Sequence, residues 1–278
     1  MNLFLSLGVA VRAYRSVLPL MLRPSYWLPF LVLAAVQFGA LGLLVGFHHP
    51  LLAPLGVPLV RLLGGEKAMH YPALLLYLPG MYSRLVLVLA VLVASVAVAF
   101  ATLYFARALG LEAGSGRGAR VHGRVPSLVL VSVPPALAIV GLSMLAGLVP
   151  PQLFLDSSMV RWSVRGVLLI AVILVQSFVS YSTAWVVLQG HSALAALRDS
   201  IRVTARTFLP TVLVVSFPVL ALYPISYLTQ RVDLFIGKLE PELVSALLAG
   251  RIVGELFFGF LIVGAITRLF LWRTETVR

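Results

Sequence analysis

The stretch Leu85–Ala106, LVLVLAVLVASVAVAFATLYFA, runs between Arg84 and Arg107 without one charged side chain. An α-helix rises about 1.5 Å per residue, so about 20 apolar residues cover the ~30 Å hydrocarbon core of a bilayer. This stretch has the required length, and nothing in it opposes burial in lipid. Working outward, the same reading applies to four more uncharged gaps: Pro24–Val60, Val125–Leu155, Gly166–Leu197 and Thr207–Gln230. A sixth apolar segment, Ile252–Trp272, contains Glu255 and Arg268. Helices are expected over 27–47, 83–106, 127–149, 165–188, 208–228 and 252–272. The fold class is all-α, a polytopic helical membrane protein with six crossings.

Composition agrees. Of 278 residues, 61% are hydrophobic and 11% charged, and the mean hydropathy is +1.05. A soluble domain is nearer half apolar and a quarter charged. An ordinary soluble enzyme, a disordered chain and a disulfide scaffold are therefore excluded. The chain has no cysteine, so thiolate ligands and cysteine nucleophiles are excluded as well. The apolar opening Asn2–Val11 has no basic residues ahead of it and is interrupted by Arg12 and Arg15. It is expected to remain on the chain rather than to be a cleaved signal.

The formal net charge is +12, from 21 Lys+Arg against 9 Asp+Glu. In a soluble chain this surplus would suggest nucleic acid; here the loops beside the membrane account for it. With the N-terminus inside, 13 basic residues fall in cytoplasmic segments and eight in outer ones. That bias orients the protein with both termini in the cytoplasm. Tyr26, Trp27, Trp162 and Trp272 fall near expected span ends, where amphipathic rings favour the interface.

Two further segments are amphipathic. In residues 2–22, Leu3, Leu7, Val11, Tyr14 and Leu18 share one helix face, opposite Asn2, Ser6, Arg12 and Ser16, with Arg15 at the border. This pattern is that of an in-plane interfacial helix, which Pro19 would end or kink; its alternative is a plain extension of the first span. The expected organisation is an interfacial helix in 1–26, a six-helix domain in 27–272 and a short cytoplasmic tail in 273–278. In residues 192–208, Leu194, Leu197, Ile201 and Phe208 form a stripe, and Arg198, Arg202 and Arg206 recur every fourth residue beside Asp199. Two readings stand: a helix that binds anionic lipid or a partner, or a connector whose arginines serve topology. His48–Leu63 and Ile236–Ala249 are expected outside as re-entrant or surface helices. His48-His49-Pro50, Pro54, Pro58 and Gly64-Gly65 are expected to break the first of them into short turns.

A basic residue, a proline and an apolar run recur at Arg23-Pro24, Arg124-Val125-Pro126 and Arg206–Pro210. The recurrence fits either an internal duplication or the general use of proline in first helical turns.

One stretch carries a resemblance. Ala196-Leu197-Arg198-Asp199-Ser200-Ile201-Arg202-Val203-Thr204-Ala205-Arg206-Thr207-Phe208 resembles a segment preceding a late span in poorly characterised bacterial six-helix membrane proteins. These are related to the membrane domain fused to some glycerophosphodiester phosphodiesterases. The resemblance covers about 13 residues and the span count. It implies a helical accessory domain in a bacterial cytoplasmic membrane and brings no catalytic residues with it.

Candidate chemistry is sparse. Glu255 and Arg268 lie 13 residues apart, about 20 Å of helix and less than the ~30 Å core. A carboxylate at membrane depth is a candidate for proton or cation coupling, and its alternative is a pair with Arg251 one turn earlier. Gln176, Ser180 and Thr183 share a narrow arc of the fourth span, with Ser177 and Tyr181 beside it. They either line a path or join helices by hydrogen bonds. Pro218 and Pro224 allow a kink in the fifth span. Ala35/Gly39, Gly42/Gly46, Ala90/Ala94 and Ala97/Ala101 are small pairs suited to close helix contact, within the chain or with a second copy. His48, His49, Glu66 and His70 share an outer loop without a metal-site spacing. Gly114–Gly118 lacks the lysine of a phosphate loop, and Asp156 is alone in its loop. The expectation is a non-enzymatic accessory, scaffold or lipid-associated membrane component. It has no catalytic residues, cofactor or metal, and its partners are anionic lipid headgroups, another membrane protein or a second copy. The basic candidates for lipid or a partner are Arg12, Arg15, Arg198, Arg202 and Arg206. The alternative is a small transporter or permease subunit using Glu255 and the fourth-span arc.

Overall fold

The computed structural model describes residues 3–71, 73–110, 121, 123–147, 158–229, 232 and 242–275. Among these, all regular structure is helical. The main helices are α1 (Leu3–Val17), α2 (Leu28–Val45), α3 (Ala53–Gly64), α4 (Ala73–Leu89), α5 (Ser95–Ala108), α6 (Val125–Gly147), α7 (Ser158–Val179), α8 (Ala193–Arg206), α9 (Phe208–Thr229) and α10 (Leu243–Glu275). A π-helical turn, Ala90–Ala94, joins α4 to α5. Gly114–Gly118 and Asp156 lie outside the described residues.

Seven segments are long and apolar enough to cross a membrane: Leu3–Leu22, Leu28–Val45, Ala73–Ala108, Val125–Leu145, Trp162–Gln189, Phe208–Thr229 and Leu243–Arg273. Six correspond to the expected spans. The seventh is α1, which continues through a 3₁₀ turn, Leu18–Leu22, to 20 residues in all and so has the length of a span where an interfacial helix was expected. Pro19 does not stop this segment, because it sits in the first turn of the 3₁₀ helix, where no N–H partner is required.

Three further expectations are corrected. The second span begins at Ala73, ten residues before the expected start. Arg84 does not end the helix, because its Nη1 donates to the Leu63 carbonyl at 2.6 Å. The segment 48–63 is short turns only as far as 52, and 53–64 forms one 12-residue helix rather than further turns. Pro54 lies in its first turn, and Pro58 removes a single backbone bond. Gly65, at φ +73°, ends that helix while its N–H bonds the Arg61 carbonyl. The part of 236–249 that is described, 243–249, belongs to α10 rather than to a separate surface helix.

The chain divides into two compact units. In the unit of 27–97 and 218–260, α2, α3, α4 and the 3₁₀ turn Glu66–Met69 pack together. Leu44, Phe47, Val60, Leu78, Met81 and Ile252 are fully buried in its core. Gly56 lets α3 approach closely: a Cβ there would lie 2.7 Å from Phe47 Cβ. Outside the spans, the Tyr71 hydroxyl donates to Glu242 Oε1 at 3.1 Å. That bond to a carboxylate raises the phenol above its usual range.

In the unit of 1–26, 98–217 and 261–278, α6, α7 and α8 pack on one another. The buried stripe of α1 is Ser6, Ala10, Ala13 and Val17, spaced alternately four and three residues. Ser6, expected on the polar face, is therefore turned into the protein, while Leu3, Leu7, Val11 and Leu18 point outward. Small side chains allow close approach: a Cβ on Gly264 would lie 2.6 Å from Val17 Cγ1. Large apolar residues on the outside of the helices, such as Val32, Leu92, Leu130, Ile170 and Leu220, complete the pattern of a multi-pass membrane protein.

Candidate functional site

Two helices bring polar groups together at Glu255. On α10, Arg251 Nε donates to Glu255 Oε1 at 2.7 Å, one helical turn away. From α2, Gln37 Nε2 donates to Glu255 Oε2 at 3.2 Å. From α4, Tyr82 is buried in the same core cluster as Leu248 and Ile252 of α10. Tyr82 is buried, and its hydroxyl has no hydrogen-bond partner among the described residues. Gln37 is 6% exposed, whereas the Arg251 and Glu255 side chains keep 28% and 27% of their exposure. The pair with Arg251 anticipated from the sequence is thus formed. Neither Gln37 nor Tyr82 was singled out there. Gln37 could have been, as the sole polar side chain of α2. Tyr82 gave no signal, since it precedes Arg84 and the expected start of the span.

The fourth-span residues belong to the other unit. There α7 stops at Val179, and the chain turns at Ser180 and Tyr181 and resumes as Ser182–Ala184 and a π turn, Trp185–Gln189. An interruption inside a span strands backbone groups that lipid cannot satisfy. The amphipathic α8 satisfies them. Ser200 Oγ donates to the Phe178 carbonyl at 2.7 Å and accepts from the Tyr181 N–H at 3.2 Å. Thr204 Oγ1 donates to the Ser177 carbonyl at 3.0 Å. Ser180 Oγ donates to the same carbonyl at 2.9 Å. The Tyr181 hydroxyl meets Thr211 Oγ1 at 2.7 Å. Of the expected arc, Ser180 is therefore spent locally, and Gln176 and Thr183 are half-buried on the same helical path.

Helix α8 docks by Ala196, Ser200 and Thr204, which are all fully buried. Its expected apolar stripe points away, with Leu194 82% exposed and Ile201 48% exposed. Arg198, Arg202 and Arg206 are exposed on the same helix, as are Arg12 and Arg15 on α1. Asp199 is held by His191 Nδ1 at 3.0 Å and by Arg202 Nη1 at 3.7 Å. Three of the matched positions in 196–208 are thus the docking face, and the basic ones face outward.

Arginines also close three helix ends. Arg84 bonds the Leu63 carbonyl at the end of α3. Arg124 bonds the Val186 carbonyl in the π turn. Arg268 bonds the Leu109 carbonyl just beyond α5 at 2.8 Å and lies 4.9 Å from the Trp272 ring centroid. Helix C-termini present unsatisfied carbonyls and a partial negative charge, which a guanidinium answers on both counts. In the fifth span, Pro218 has no N–H for the Val214 carbonyl, and the Tyr14 hydroxyl donates to that carbonyl at 2.6 Å.

The remaining candidates are placed as follows. Gly39 and Gly42 have open space where a Cβ would stand, so this chain does not use them for close packing. Ala97 and Ala101 are buried, as close contact requires. In the outer loop Glu66 pairs with Arg61 at 2.8 Å. His49 Nδ1 accepts from the Leu51 N–H at 3.3 Å. Comparison with protein-family models, with curated proteins and with solved structures finds no match to this chain.

Proposed function

We propose that the chain is a non-enzymatic integral component of a bacterial cytoplasmic membrane, an accessory or scaffold subunit associated with lipid. The observation that supports this reading most is where the polar side chains of its helices are spent. Ser200 and Thr204 serve the interruption of α7, Arg251 and Gln37 hold Glu255, and Tyr14 serves the carbonyl left by Pro218. Groups used in this way stabilise helix contacts. The outward Arg198, Arg202 and Arg206, beside exposed Leu194 and Ile201, suit an anionic leaflet. The same role is implied by the resemblance of 196–208 to six-helix accessory domains.

In this reading α1 lies along the cytoplasmic interface and both termini are inside. Arg12 and Arg15 stand in the middle of Leu3–Leu22, and an arginine at a span centre costs about 2.5–3.5 kcal/mol. Chemical crosslinking in cells, followed by gentle extraction, tests the scaffold role. A partner recovered in fixed ratio is the expected result, and repeated recovery of the chain alone counts against it.

A second reading, a small transporter or permease subunit, is favoured by the interrupted α7 and by the carboxylate of Glu255 within a spanning helix. Liposomes loaded with candidate solutes separate the two readings. Flux that disappears in Glu255→Gln would favour transport, and no flux in either protein would favour the scaffold for those solutes.

A further inference from the structure

Helix α3 is pinned near both ends to residues that mark the edge of the hydrocarbon core. Its first turn sits against the end of α2, where a Cβ on Gly56 would lie 2.7 Å from Phe47 Cβ. Its last turn is tied to α4, where Arg84 Nη1 donates to the Leu63 carbonyl at 2.6 Å. Phe47 comes just after the last residue of α2, Val45. Arg84 stands directly before the uncharged stretch Leu85–Ala106, which is long enough to cross the core. Both contacts thus hold α3 at the level where a span leaves the core. Its 12 residues make about 18 Å of helix, too short to cross ~30 Å of hydrocarbon. Held at one level at both ends, it lies along the boundary.

The two faces of α3 differ. Gly56 and Val60 are buried. On the opposite face Leu55, Pro58 and Leu62 recur every three or four residues and are exposed, and Leu51 precedes them by one turn. Leu51 is 83% exposed, Leu55 70% and Leu62 80%. The one charged residue of the helix, Arg61, borders this face and is paired with Glu66 at 2.8 Å. With Leu52, these leucines offer roughly 400 Å² of apolar surface, well short of the about 800 Å² per partner of a stable protein interface. An uncharged stripe of this size, following the exposed Phe38 and Val45 of the spanning α2, matches lipid. We propose that α3 is a lipid-docking helix lying in the plane of the bilayer, with Leu51, Leu55 and Leu62 in one leaflet where headgroups meet acyl chains. That geometry buries the stripe by about 5–10 Å. The surface is distinct from the arginines of α8, and the inference does not depend on the scaffold reading.

The chain has no cysteine, so single introduced cysteines carry a bimane fluorophore without background. Leu55→Cys and Leu62→Cys replace exposed side chains and leave the buried face of α3 intact. Leu51→Cys is a third, independent probe. The full chain is reconstituted in phosphatidylcholine vesicles containing lipid spin-labelled either near the headgroup or at the end of the acyl chain. Iodide on both sides of the vesicle is the aqueous quencher. Lys67→Cys, exposed in the 3₁₀ turn that follows α3, is the aqueous reference. Phe38→Cys, exposed within α2, is the acyl-chain reference. At 55 and 62 the shallow spin label should quench several-fold more strongly than the deep one. Iodide should quench several-fold less than at 67, and the protein-to-lipid ratio should change neither result. Iodide quenching equal to that at 67 overturns the proposal by placing the face in water. Deep-label quenching equal to that at 38 overturns it in favour of a re-entrant segment. Protection from both quenchers overturns it in favour of protein contact, and protection that grows with the protein-to-lipid ratio makes that contact a second copy.

Discussion

Gly190 shows how one position joins backbone conformation to a charge. It stands at φ +79°, a left-handed conformation that ends the π turn Trp185–Gln189. A Cβ there would also come within 2.7 Å of Arg124 Nη2, displacing the guanidinium that bonds the Val186 carbonyl. Gly190→Ala is therefore expected to lower stability by about 1–3 kcal/mol, the cost of a non-glycine residue in such a conformation. Gly42→Ala is the matched control, since it lies in a regular helix with open space around the new Cβ. It should be neutral or slightly stabilising. Unfolding each variant in mixed micelles of increasing denaturing detergent measures both. Glu255 is the residue most legible in the sequence, as a lone acid in an apolar run. Its partner Gln37 comes from more than 200 positions away in the chain, a relation that spacing along one helix cannot express.

At the scale of elements, α8 and α1 do the same kind of work. Each supplies side-chain donors to backbone carbonyls that the spans leave open. Removing the α8 donors with Ser200→Ala and Thr204→Val takes the side-chain donor from the Phe178 carbonyl and leaves the Ser177 carbonyl to Ser180. Ser200→Ala should cost about 1–3 kcal/mol and Thr204→Val about 0.5–1.5 kcal/mol, and α8 should exchange its amide protons faster. Hydrogen exchange read over 193–206 measures this, with Arg198→Gln as a control that leaves the docking face intact. Unchanged exchange in the double variant would mean that α8 docks by packing alone. Tyr14 allows a cleaner cycle. Tyr14→Phe removes the donor to the Val214 carbonyl, whereas Pro218→Ala restores the helical N–H that this carbonyl lacks. The cost of Tyr14→Phe, about 0.5–1.5 kcal/mol, should shrink in the Pro218→Ala background. Equal costs in the two backgrounds would separate Tyr14 from the proline. Amphipathic periodicity made both α1 and α8 legible as helices. It misassigned their buried faces, because it assumes that large apolar residues pack inward. Beside lipid the small residues pack and the large ones face out, as Ala196, Ser200 and Thr204 do against Leu194 and Ile201.

For the whole molecule the open choice is whether α1 crosses the membrane. Six crossings leave both ends on one side, and seven separate them. The chain has no cysteine, so single introduced cysteines report without background. Phe4→Cys and Leu22→Cys are both exposed positions. With α1 in the interface, a membrane-impermeant maleimide should label both only after the cells are opened. Labelling of one of them from outside would make α1 a span and place the ends on opposite sides. What the sequence determined by itself was the class of protein and six of its spans, because crossing a hydrocarbon core depends on length and polarity alone. The broad ends of the spans were less legible: Arg84, read as a boundary, is absorbed by a carbonyl of α3. Only the tertiary structure decided which polar groups meet. Glu255 with Gln37, Ser200 with Phe178 and Tyr14 with Val214 are meetings between distant helices. In a medium without water every stranded donor and acceptor must be answered from within the protein, and helix packing settles which group answers which.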